Sequence, residues 1–362
     1  MKKKFISILL GMTMLMGSLV GCSSAPTGTS DSAGDTSTTQ TATKTEEAKK
    51  EETKKEEVKT EETQTDDLIT IGFSQVGAES DWRVANTESM KGTLTKENGF
   101  NLIFADAQQK QENQIKAVRD FISQEVDVIV IAPVTETGWE TVLGEAKDAE
   151  IPVIIVDRMI DVSDDSLYTC WVGSDFYQEG LDAVTWLTGY MDSLGRGSED
   201  LNVAVLQGTI GSSAEIGRTK GVRDGLAKTN NYKIVLEQTG EFTQAKGQEV
   251  MESFLKSGER IDILIAQNDN MAFGAIDALK AVGKKPAQDV IIVSFDAVKA
   301  AFESMIAGEM NVSVECNPLH GPRVAELAKK IMNGEQVEKV QYVEEGVYPA
   351  DTAAEILPER AY

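Results

Sequence analysis

From residue 68 onward, short aliphatic runs alternate with longer stretches of helical periodicity. The runs predict strands at 69–74, 101–105, 128–132, 153–157, 202–207, 233–238, 263–266, 290–295 and 311–315. Between them, apolar residues at three- and four-residue spacing predict helices around 84–96, 111–124, 136–149, 178–191, 214–228, 244–255 and 271–282. Most of the strands are aliphatic throughout, as befits strands covered on both faces, so the alternation predicts parallel sheets with helices on either side. The order also repeats loosely. A helix, "VDVIVIAPVTETGWE", a helix and "IPVIIVD" in the first half answer to a helix, "IDILIAQNDNMAFGA", a helix and "DVIIVSFD" in the second. Two similar α/β lobes explain that repeat better than one large sheet.

Ligands of such sheets sit beyond the carboxyl ends of the strands. This rule selects residues 74–83, 133–135 and 157–158 in the first half. In the second half it selects 207–218, 238–242, 267–269, 296 and 315. Arg83, Arg158, Arg218 and Asn268 stand there as planar donors, and Glu79, Asp157, Asp296 and Glu315 as acceptors. Sugar hydroxyls both donate and accept, so a sugar site needs both kinds of partner in fixed geometry. Trp82, with Phe242 as a second plane, can pack on the apolar face of a sugar ring. One Arg or Asp at a strand end is ordinarily a surface ion pair or a cap, and Ser80 or Asp81 suits the N-cap of its helix. Recurrence at the tips of both halves is what points to a site. Paired carboxylates also suggest glycoside hydrolysis, which needs an acid of raised pKa. Interleaved arginines depress those values and favour binding over catalysis.

Other chemistries lack their residues. His320 is the only histidine, and no metal-ligand spacing accompanies it. It suits a helix start or a packing position. The glycines at 208, 211 and 217 open a helix after a strand, but no Lys-Ser or Lys-Thr follows, so a turn capped by Ser212 or Ser213 is expected. A formal charge of −24, mostly carried after residue 67, excludes nucleic acid as a partner.

The first residues read as an export address. Met1-Lys2-Lys3-Lys4 is a positive start, 5–20 is apolar but short for a membrane span, and Leu19-Val20-Gly21-Cys22 resembles the lipobox of bacterial lipoproteins. The expectation is a signal peptide over 1–21, lipidation at Cys22, and a Ser/Thr-rich then Lys/Glu-rich tether over 22–67 that cannot bury a core. That would hold the body on the outer face of a cell membrane.

Several stretches in order resemble the ribose/galactose-type sugar-binding proteins of bacterial ABC importers, nearest to the galactofuranose binders among them. They are "GFSQVGAESDWR", "DAQQKQENQIKAVRDFISQEVDVIVIAPV", "GWE", "EAKDAEIPVIIVDR", "LQGTIGSSAEIGR", "KGQEVMESF" and "NDNMAFGAI". The resemblance implies a periplasmic-binding-protein-like fold: two doubly wound parallel-sheet lobes, 68–173 plus 317–347 and 174–316 plus 348–362, joined by a three-strand hinge. It implies crossings near 172–174, 315–317 and 348–350. Residues 79–83 with Asp157 and Arg158 would form one wall of a monosaccharide site, and Arg218, Asn268 and Asp296 the other. Glu315 would stand where ribose binders use a glutamine, and Phe242 near one of their aromatics. The crossings would bring Cys170 and Cys316 toward neighbouring hinge strands, as a disulfide or a near contact. The implied protein is a monomer without cofactor that is not an enzyme and serves an importer permease. The alternative is a sugar sensor feeding a membrane histidine kinase. Which monosaccharide it takes stays open.

Overall fold

A computed structural model describes residues 68–362, so Cys22 and the expected leader and tether lie outside the described residues. The first part runs β1 (Ile69–Gln75), α1 (Asp81–Thr93), β2 (Phe100–Asp106), α2 (Gln111–Ser123), β3 (Val128–Ile131), α3 (Glu140–Asp148), β4 (Val153–Val156) and β5 (Cys170–Gly173). The second runs α4 (Phe176–Ser193), β6 (Leu201–Gln207), α5 (Ser213–Leu226), β7 (Tyr232–Thr239), α6 (Gln244–Lys256), β8 (Ile263–Ala266), α7 (Asp269–Ala281), β9 (Ile291–Asp296), α8 (Lys299–Ile306) and β10 (Val312–Glu315). The chain then returns through α9 (Gly321–Met332) and β11 (Val340–Tyr342) and ends with β12 (Val347–Pro349) and α10 (Ala353–Ile356).

These strands form two six-stranded sheets, ordered β11-β5-β4-β3-β1-β2 and β12-β10-β9-β8-β6-β7. All pairings are parallel except that of β12 with β10. Successive side chains of a strand point to opposite faces, so each aliphatic strand feeds two cores. In the first sheet, Val128 and Val130 pack on the α1/α9 side, and Ile129 and Ile131 on the α2/α3 side. In the second, Ile263 and Ile265 face α4 and α5, while Leu264 and Ala266 face α6 and α7. The expected pair of parallel-sheet lobes is the observed architecture.

Local differences have local causes. Helix α1 begins at Asp81 rather than Val84 because Ser80 Oγ accepts from Arg83 N and caps it. Helix α3 starts at Glu140, after Gly138 at φ +90°, instead of at 136. Strand β5, Cys170-Trp171-Val172-Gly173, holds a single aliphatic residue, and β11 and β12 are three residues long, so none has a counterpart in the sequence pattern.

The chain passes between the sheets three times: from β5 to α4, from β10 to α9, and from β11 to β12. The first two crossings stand near the expected positions. The third precedes Val347 instead of falling at 348–350, since Val347–Pro349 already pairs with β10 in the second sheet. No disulfide joins Cys170 and Cys316; both are free and buried. Cys170 begins β5, four residues and so roughly 13 Å of strand below Ser174. Cys316 lies beside Ser174 itself, with Sγ 3.3 Å from its Oγ. A bridge needs Cα atoms within about 7 Å.

One packing detail positions a functional pair. Helices α4 and α5 touch backbone to backbone: a Cβ on Gly180 would lie 2.7 Å from Arg218 O, and one on Gly221 would lie 2.3 Å from Tyr177 O. That approach lets Glu179 on α4 meet Arg218 on α5 at 2.6 Å. Gly221→Ala should therefore lose about 1–3 kcal/mol by overpacking, read as a lower urea midpoint with an unchanged slope, whereas Gly189→Ala on the open side of α4, where nothing lies within 4 Å, should not.

Candidate functional site

The carboxyl ends of the two sheets meet over a narrow cavity lined by residues of both lobes. Nine of the ten body residues singled out in the sequence line it. Glu79, Trp82 and Arg83 come from the start of α1, and Asp157 and Arg158 from the tip of β4. Arg218 comes from α5, and Phe242, Asn268 and Asp296 from the tips of β7, β8 and β9. Three hydrogen bonds cross the cleft at its rim: Asp81 N to Asn270 Oδ1 at 3.0 Å, Glu136 N to Gly211 O at 2.9 Å, and Met159 N to Ser213 Oγ at 2.8 Å. The two lobes are closed on each other.

The backbone is strained at the strand tips. Asp157 (φ +62°), Phe242 (φ +61°) and Asp296 (φ +104°) adopt the left-handed region, which costs a non-glycine residue about 1–3 kcal/mol and persists where surroundings impose it. Asp157 is held by its N–H donating to Val172 O and its carbonyl accepting from Trp171 Nε1. The repeat noticed in the sequence thus ends, in both halves, on an Asp with the same unusual twist.

In the first lobe Arg83 is the organiser. Its Nε lies 3.0 Å from Glu79 Oε1, its Nη1 3.2 Å from Gln75 Oε1 and its Nη2 2.7 Å from Asp157 Oδ2. Burial works against its charge, but Asp157 and Glu79 outweigh that and hold its pKa above the ordinary arginine value. Arg158 is different. Among the described residues it makes one hydrogen bond, from Nη1 to Val134 O at 3.1 Å, and its other nitrogens stand 3.7 Å from Glu79 Oε1 and 4.0 Å from Asp157 Oδ2. Burial and the neighbouring Arg83 lower its pKa to about 10, so it stays charged at neutral pH. Glu79 Oε2 is buried without any partner, whereas Asp157 Oδ2 is paired with Arg83. This wall has a free acceptor oxygen beside a guanidinium with N–H groups to spare.

The second lobe is more committed. Arg218 spends Nε on Glu179 Oε2 at 2.6 Å, Nη1 on Gln267 O at 2.5 Å and Nη2 on Asp296 Oδ1 at 3.3 Å. Asn268 caps α7 by accepting from Met271 N, and donates from Nδ2 to Phe242 O. Burial pushes the Asp296 carboxyl up despite Arg218, with Asp269 adding to the shift. Asp269, bonded to Ser313 Oγ and Val298 N, is itself pushed up to about 7 by burial.

Flat apolar faces complete the lining. Trp82 is pinned by Nε1 donating to Cys316 O at 2.6 Å. Phe242 packs over Gly208, where a Cβ would lie 1.9 Å from the ring. The guanidinium of Arg158 lies 5.1 Å from the Phe242 ring centre, and that of Arg218 lies 5.4 Å from Phe176.

Glu315 does not line the cavity. Alternation along β10 turns its side chain away, to accept from Arg360 Nη1 at 2.7 Å, Tyr362 OH at 2.7 Å, Tyr348 OH at 3.0 Å and Gly346 N at 3.0 Å. The next residue, Cys316, faces the cavity instead, with burial holding its thiol well above the ordinary value. Phe176 also lines it unannounced, because the strand preceding it left no pattern; with β5 recognised, the strand-tip rule would have selected it. His320 caps α9, packs edge-on to Trp82 and is driven by burial to about 4, which keeps it neutral. Donor forks, acceptor oxygens and apolar planes suit a small polyol, and the nearest nucleophile, Cys316, is held as a thiol.

A family model described as "Periplasmic binding protein domain" matches residues 71–336. The chain is 46% identical over 296 residues to the galactofuranose-binding protein YtfQ of Escherichia coli, covering 81% of this chain and 91% of that protein. Among solved structures, a Mycobacterium smegmatis protein in complex with beta-D-fucofuranose is 45% identical with a TM-score of 0.78, over 80% of this chain and 94% of that one. The binding component of the arabinose ABC transporter from Shewanella sp. ANA-3, bound to alpha- and beta-L-arabinofuranose, is 47% identical with a TM-score of 0.76, over 81% and 95%.

Removing Arg83 would leave the Glu79 and Asp157 carboxylates buried without their main counter-charge. Arg83→Ala should destabilise the body by about 3–5 kcal/mol in chemical denaturation at neutral pH.

Proposed function

The chain belongs to the periplasmic binding protein family, and on that premise we propose that it captures one monosaccharide in furanose form, of the galactofuranose or arabinofuranose kind, for an ABC importer. It is a solute-binding protein and not an enzyme. The observation that carries the sugar assignment is the first-lobe wall: buried Glu79 Oε2 lacks a hydrogen-bond partner beside a sparsely bonded Arg158, in the cavity between the lobes. Vicinal hydroxyls would donate to the Glu79 carboxylate and accept from the guanidinium. Trp82, Phe176 and Phe242 would take the apolar edges of the ring.

Each lobe contributes part of the lining, so a sugar touching both walls favours the closed form over an open one. The reading assigns 68–173 with the return segment from 317 to the third crossing to one lobe, and the remainder of 174–362 to the other. The arabinose-transporter component and a fructose import binding protein of Bifidobacterium longum among the relatives both serve import, which favours import over sensing. Among the described residues no helix is long and apolar enough to cross a membrane. The lipobox-like Leu19-Val20-Gly21-Cys22 supports a lipid anchor at Cys22, with a signal peptide before it and a tether after it, holding a monomeric body on the extracytoplasmic face of the membrane.

A thermal-shift series over furanose- and pyranose-forming monosaccharides tests the ligand: the right sugar at a hundred times its Kd adds about 2.7 kcal/mol of stability. Arg158→Ala and Asp296→Ala should each weaken that sugar by about 30-fold or more, from the loss of 2–5 kcal/mol when a buried charge loses its partner. Unchanged calorimetric affinity in both variants would show that the cavity is not the sugar site.

A further inference from the structure

The three connections between the lobes meet at one side chain. Glu345, in the third connection, accepts through Oε1 from Ser174 Oγ at 2.5 Å in the first and from Asn317 N at 2.8 Å in the second. Swinging the lobes apart must turn all three connections, and here, with the lobes closed, they converge on this one carboxyl. The same node reaches the cavity. Ser174 Oγ also lies 3.3 Å from Cys316 Sγ, which lines it. Glu179, whose Oε2 holds Arg218, comes within 4.8 Å of Cys316 and Glu345 by one carboxylate oxygen.

The charges around Glu345 are nearly all of one sign. Glu179 on α4 and the Cys316 thiol after β10 face it, and Asp175 and Asp182 on α4 and Glu315 on β10 line the same recess behind the hinge. Arg218 on α5 bears on the pair, with its nitrogens already bonded to Glu179 Oε2, Gln267 O and Asp296, while Arg360 is paired with Glu315 and offsets that charge. Glu179 Oε1 is buried without a partner. Two carboxylates this close and this poorly solvated do not both ionise. The spacing of Glu179, Cys316 and Glu345 would also suit a metal ion, but the Arg218 guanidinium already supplies the positive charge at that corner.

We propose that Glu345 is the positioning residue of lobe closure: in the closed form its carboxyl carries a proton while its Oε1 ties the three connections together, so closure on sugar takes up one proton. This rests on the reading of the cavity as a sugar site. Burial first, and Glu179 next, push the closed-form carboxyl up to about 9. When the connections separate, the group returns toward the ordinary carboxylate range. The closed form is therefore favoured at low pH, and its advantage is lost progressively as pH rises from that range to about 9.

The test measures sugar affinity by calorimetry from about pH 5 to pH 9 in wild type, Glu345→Gln and Glu345→Ala. Gln keeps an acceptor oxygen and cannot ionise, so wild-type affinity should fall relative to Glu345→Gln as pH rises, by up to about tenfold per pH unit. Contributions from Asp269 and Asp296 are common to both proteins and cancel in the ratio. Glu345→Ala, lacking the acceptor, should bind more weakly than Glu345→Gln throughout. Parallel pH profiles for wild type and Glu345→Gln, with sugar bound by both, overturn the proposal alone. Failure of every monosaccharide to bind wild type at any pH removes the sugar reading and the proposal together. A zinc-induced rise in melting temperature that disappears in Glu345→Gln would put a metal ion in place of the proton and also overturn it.

Discussion

Burying ionic groups beside an apolar interior is tolerable only when each charge finds a partner, and Arg83 is where this protein meets that requirement. One guanidinium holds Glu79, Gln75 and Asp157, which belong to the start of a helix, a strand and the tip of another strand. The residues it gathers would otherwise repel one another or draw water into the core. Because Arg83 takes one oxygen of Glu79 and leaves the other free, neutralisation and unfilled acceptor capacity come from the same contact. Arg218 plays the corresponding part in the second lobe, but its fork is engaged at all three nitrogens and leaves less open.

The two lobes repeat a design without repeating its detail. Both present an Asp in left-handed conformation at the end of an aliphatic strand, in Asp157 and Asp296. Such a twist persists where the surroundings impose it, and it leaves each carboxylate beside an arginine of its own lobe, Arg83 for Asp157 and Arg218 for Asp296. In the first lobe the Asp stands near two arginines; in the second it sits above another buried acid, Asp269, and resists ionisation.

The sheets were legible because fully aliphatic strands such as Val128–Ile131 and Ile263–Ala266 can only be central and covered. Most of the candidate lining was legible because the strand-tip rule needs strand positions and nothing finer. What failed was whatever depends on a single residue of register. Glu315 and Cys316 are neighbours at a strand end, and alternation alone decides which one faces the cavity. Phe176 was hidden behind β5, a strand with a single aliphatic residue, and the third crossing fell within a segment too short for any period. Asn268 was chosen as a fork, yet its hydrogen bonds are those of a helix cap, a function that composition cannot separate from ligand contact.

The hydrogen bonds across the mouth of the cleft share a property. In each of the three, the first lobe contributes a main-chain N–H, at Asp81, Glu136 and Met159, while two of the three acceptors opposite are side chains, Asn270 and Ser213. A main-chain donor survives every substitution except proline. The lip of the first lobe can thus change its charge and shape across descendants of this sequence, adapting to whatever surface it meets, without loosening the latch; the opposing lip is bound to its side chains at Asn270 and Ser213.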